Sequence, residues 1–120
     1  MDLSQISINS YRPLELSNFL SYLFDIEIKK REERYYLFFR AYVFVISTAL
    51  NKPEHSMSLT FQLESLQALE DLIKKYEFYL YRETGKPPHK KMSPQKEKSE
   101  YYFEIFDVDG RSWFFSYLEN

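Results

Sequence analysis

The sequence predicts an α+β fold: one antiparallel sheet of about five or six strands with two helices, in the order β-α-β-β-β-α-loop-β-β. Three observations carry that prediction. Leu66, Leu69, Leu72, Ile73, Tyr76 and Leu80 recur at helical spacing, with Glu70, Asp71, Lys74 and Lys75 opposite. Met57, Leu59, Phe61 and Leu63 alternate with Ser58, Thr60 and Gln62, as a half-buried strand requires. Asp109-Gly110 separates two aromatic runs, YYFEIFDV and RSWFFSYL, the pattern of a tight hairpin.

Taken in order, Leu3, Ile6 and Ile8 form a short first strand, ended by Tyr11-Arg12-Pro13. Leu16, Phe19, Leu20, Leu23 and Phe24 line one face of a helix that Pro13 opens. From Phe24 the period changes to two, with Phe24, Ile26 and Ile28 against Asp25, Glu27 and Lys29. The charged run KKREER leads into Tyr35–Ser47, apolar on both faces and interrupted by Arg40 alone. That stretch reads as a central strand covered on both sides, with a buried helix as the rival reading. After Asn51-Lys52-Pro53 come the 57–63 strand and a helix over 64–83, which Ser65 can cap. Gly85 ends the helix, and Pro87-Pro88 prevents its resumption.

Residues 1–120 suit a single domain with a mobile basic loop at about 85–99, where five lysines stand against one glutamate. Residues 100–120 are acidic instead, a charge asymmetry hidden inside a net charge of −2. The absence of cysteine leaves no disulfide or thiolate metal site to consider. The N-terminal segment has neither a basic region nor an apolar run, and no stretch approaches the about 20 apolar residues of a membrane span. These features point to a cytoplasmic protein with no membrane association.

Catalytic motifs are sparse. The two histidines, His55 and His89, are far apart and unpaired in metal-ligand spacing. Glycine occurs only at 85 and 110, too few for a phosphate-cradling loop. Asp107-Val108-Asp109-Gly110 resembles the start of a calcium loop but lacks its distal glutamate, and a hairpin turn accounts for it. Ser93-Pro94-Gln95-Lys96 fits SxxK in a proline-rich loop rather than at a helix start. No catalytic residue, metal or cofactor is expected on these grounds.

Aromatic residues make up 19% of the chain, eleven Phe, eleven Tyr and one Trp. One sheet face can bury its rings against the helices, and the other must meet something else. The candidate binding residues are therefore Tyr35, Tyr36, Phe38, Arg40, Lys90, Lys91, Tyr101, Arg111 and Trp113. Together with a composition of the AT-rich kind found in phage and mobile elements, they suggest a small non-enzymatic protein-binding accessory module. It would inhibit or modulate a larger bacterial complex, as an anti-CRISPR or other anti-defence factor does. The expected partner is a protein, with nucleic acid reached directly or through a nucleoprotein complex, and a homo-oligomer compatible with either.

The alternative is a single-stranded nucleic-acid binder. FDIEIKK, YYLFFRAYVFVIS and SMSLTFQLESLQALEDLIKKY follow one another over residues 24–80 in an order that resembles a Pur-alpha-type repeat. The resemblance implies strands followed by a strand and a helix, and binding of single-stranded nucleic acid. It assigns no functional residue.

Overall fold

A computed structural model describes residues 4–50, 58–86 and 92–119. The first strand, β1 (Ser4–Ser10), leads into α1 (Pro13–Phe24), whose buried face is Leu16, Phe19, Leu20 and Leu23. Pro13 costs α1 nothing because the first N–H groups of a helix have no intrahelical acceptor. Asp25, in the left-handed region at φ 54, ends it. Next come β2 (Ile28–Arg31), β3 (Arg34–Phe39) and β4 (Tyr42–Thr48). The four strands form a sheet in the order β1-β4-β3-β2, with β1 parallel to β4 and the other pairs antiparallel.

The second half repeats this plan. It runs β5 (Ser58–Gln62), α2 (Leu66–Thr84), β6 (Gln95–Glu97), β7 (Glu100–Phe106) and β8 (Ser112–Leu118). Its sheet has the order β5-β8-β7-β6, again with one parallel pair, β5 with β8. Each half is therefore a βαβββ module. The chain divides into two compact units, 1–55 with 107–110 and 56–106 with 111–120.

Several expectations are corrected here. The chain is α+β with two helices, but it has eight strands in two mixed sheets rather than one antiparallel sheet of five or six. The supposed central strand Tyr35–Ser47 is a hairpin. Phe39 pairs with Tyr42, and Arg40 occupies the turn at φ 57. Arg40, out of place in an apolar strand, is in fact the turn residue. The expected loop 85–99 contains β6 in its last third, while residues 87–91 lie outside the described segments. The Asp109-Gly110 turn is wider than a two-residue hairpin. Phe106 pairs with Ser112, Gly110 N–H donates to Asp107 O at 3.0 Å, and Asp109 N–H donates to Asp107 Oδ1 at 2.8 Å. The aspartate side chain thus builds a local turn that the dipeptide alone did not predict. The Pur-alpha-like order also dissolves. Residues 24–80 straddle both modules, and β5 pairs with β8 rather than with β4.

In the first module, Ile8, Leu37, Phe44 and Ile46 are buried on one sheet face. Phe24, the last residue of α1, stacks on Phe39 at 4.3 Å and on Phe44 at 6.1 Å, so this is the face that α1 covers. In the second module, Tyr76 of α2 meets Phe103 edge-on at 6.4 Å, while its hydroxyl accepts from Phe106 N–H at 3.5 Å. Trp113, Phe115 and Ile105 share that face and are fully buried, with Phe61 stacked on both rings. Each helix hides one face of its sheet and leaves the other free of it.

Candidate functional site

The face of the second sheet turned away from α2 is set by the two-residue period of its strands. Registers place Thr60, Phe114 and Glu104 in one row across β5, β8 and β7. Ser58, Ser112 and Phe106 form the row on one side, and Gln62, Ser116 and Tyr102 the row on the other. The outcome is a surface of hydroxyl and amide groups interleaved with rings. Tyr102 and Phe114 stack at 6.0 Å with 24° between their planes, and Phe106 is 52% exposed.

Glu104 occupies the middle of this surface. The Ser112 hydroxyl donates to Glu104 Oε2, which fixes one carboxylate oxygen and leaves the other with accepting capacity. Such a face can stack a planar molecule on Tyr102 and Phe114, hydrogen-bond its edge through Thr60, Gln62 and Ser116, and offer one carboxylate to an N–H or a transferable proton.

The corresponding face of the first sheet carries Gln5, Ser7 and Asn9 on β1, Tyr36 and Phe38 on β3, and Val43 and Val45 on β4. Phe38 is 47% exposed, and the Lys29 ammonium lies 5.6 Å from its ring centre. This face is also polar along its parallel edge strand and aromatic toward β3.

The residues singled out from sequence do not come together. Tyr36 and Phe38 lie on the face away from α1, but Tyr35 lies on the α1 side, with the Lys30 ammonium 5.7 Å from its ring. Arg40, in the hairpin turn, covers Phe39 at 5.1 Å. Tyr101 stands on the α2 side and stacks on Tyr117 at 6.5 Å. Lys96 sits over that ring at 5.0 Å and 3.7 Å from Glu119, and its ammonium is held above the usual lysine range by the Tyr101 hydroxyl first and by Glu119 second. Arg111 and Trp113 are enclosed, at 3% and 0% exposure, so neither presents a surface to a partner. Lys90 and Lys91 lie outside the described residues. Sequence reasoning missed Thr60, Tyr102, Glu104, Ser112 and Phe114. The signal was there in the alternation of Tyr102, Glu104 and Phe106 against Phe103 and Ile105, obscured by a run in which both faces are aromatic.

Among the described residues no three His, Cys, Asp or Glu side chains gather to hold a metal ion. His55 and His89 are not among them. Nor is any described helix long and apolar enough to cross a membrane.

No protein-family model and no curated protein sequence matches the chain. Solved structures do. Oxidase ChaP-H2 superposes with a TM-score of 0.71 at 10% identity, covering 98% of this chain and 93% of its own. A glyoxalase/bleomycin resistance protein/dioxygenase family enzyme from Burkholderia phytofirmans PsJN gives 0.71 at 13% identity, covering 98% and 99%. An integron cassette protein from the mobile metagenome of V. cholerae gives 0.63 at 16% identity, covering 98% and 94%. The chain has the fold of the glyoxalase/bleomycin resistance/dioxygenase proteins.

That fold corrects the functional expectation. Several of its neighbours bear enzyme names, an oxidase and glyoxalase/dioxygenase-type proteins, which conflicts with the expectation of a non-enzymatic binding module without catalytic residues. Nothing in the neighbours supports an inhibitor, an anti-defence factor or a nucleic-acid binder. The expectation had taken missing nucleophile and phosphate motifs as evidence of missing chemistry. A sheet face can assemble a site from residues that share no local motif.

Proposed function

We propose that this protein binds and acts on a small organic molecule held on the helix-free face of its second sheet. The observation that carries the reading is the row Thr60–Phe114–Glu104, flanked by Tyr102, Ser112 and Ser116, in a fold whose neighbours are named for small-molecule chemistry. Rings supply most of the contact area, while hydroxyl and amide groups set orientation. Glu104 would accept the ligand's proton, with Ser112 holding the carboxylate in place.

A thermal-shift screen of ring-bearing organic compounds, followed by mass spectrometry for conversion, tests this reading. Compounds that stabilise the wild type should lose at least about 1 kcal/mol of binding in Tyr102→Ala or Phe114→Ala, since ring contacts contribute on that scale. Conversion should fall in Glu104→Gln. Hits whose binding ignores both ring substitutions would contradict the assignment of this face.

A further inference from the structure

We infer that Glu104 is the specificity-determining residue of this face and selects ligands that present a protonated amine beside a planar ring. The inference rests on the proposed organic-molecule site and adds the chemical class of its occupant. Three observations carry it. First, no described lysine, arginine or histidine falls on this face of β5, β6, β7 or β8; Lys96 points to the other side. Second, Glu104 is the register partner of Phe114 and lies one row from Tyr102, so a ligand that binds its carboxylate has aromatic side chains as its neighbours on the sheet. Third, the other carboxylates of the face, Glu97 and Glu100, are register neighbours at the β6–β7 end. Four residues of strand put them about 13 Å from Glu104. The Glu104 carboxylate beside Phe114 is thus apart from the other acidic groups of this face and hydrogen-bonded by Ser112. An anionic ligand would meet repulsion here with no cation on the described strand residues of this face to offset it, whereas an ammonium gains a charge-assisted hydrogen bond.

Calorimetric titration with benzylamine, benzyl alcohol and benzoate tests this at one ionic strength. The wild type should prefer benzylamine to benzoate by about tenfold or more, the scale of one charge-assisted hydrogen bond. Glu104→Gln should abolish that preference and weaken benzyl alcohol far less than benzylamine, because the ring contacts remain and only a neutral hydrogen bond changes. Ser112→Ala should weaken benzylamine a few-fold, with Ser112→Thr restoring it, as a positioning hydroxyl requires. Equal binding of benzoate and benzylamine, or a preference that survives Glu104→Gln, would overturn the inference and leave the site reading intact. If no probe binds, or if benzyl alcohol binding survives Phe114→Ala, both readings fall.

Discussion

At the residue scale, the same composition yields two unlike aromatic populations. Trp113, Phe115 and Phe44 are wholly buried, whereas Phe38, Phe78, Tyr81 and Phe106 are about half exposed. Trp113→Ala should therefore cost about 3–5 kcal/mol, read from chemical denaturation, because it removes a ring stacked on Phe61 and leaves a cavity. Tyr76 has a different signature. Burial raises its phenol above the usual tyrosine range, and the hydrogen bond from Phe106 N–H only partly opposes this. The native state then keeps a proton that the unfolded chain loses near pH 10, so stability is retained below that value and lost as pH rises beyond it. Tyr76→Phe should flatten the alkaline decline in denaturation midpoint. An unchanged slope would contradict the burial argument.

At the scale of elements, legibility followed the strength of each local code. The helix expected over 64–83 appears as Leu66–Thr84, with Ser65 accepting from Ala68 N–H at 3.0 Å and Gly85 closing it at φ 73. Ser65→Ala should lower stability by about 1 kcal/mol, since an orphan N–H loses its acceptor. The first helix and the alternating strand at 58–62 were equally plain. The β3–β4 hairpin was not. Phe39 and Tyr42 flank a turn whose residues are neither Gly nor Asn, and an apolar run on both faces looks the same whether straight or folded back. Arg40→Gly separates the two readings. In a continuous strand it would cost about 0.5–1 kcal/mol, but in a left-handed turn it should be neutral or stabilising by about 1 kcal/mol.

For the whole molecule, the repeated βαβββ plan left no trace as sequence repetition. Pairing β1 with β4 and β5 with β8 requires only matching pleats, not matching residues. The candidate site was hidden for the same reason. Thr60, Glu104 and Phe114 are brought into one row by strand register alone, over more than fifty positions of chain. The aromatic excess did signal surface rings, but the strand residues chosen on that signal scatter over both faces of the first sheet and the α2-covered face of the second. The central claim is that the helix-free face of the second sheet holds an organic ligand. Titrating isotope-labelled protein with a ring-bearing amine, and following each backbone amide by NMR, tests it most directly. The account predicts shifts concentrated at Thr60, Tyr102, Glu104, Ser112, Phe114 and Ser116; shifts confined to the outward side of α2, or spread evenly over the chain, would contradict it.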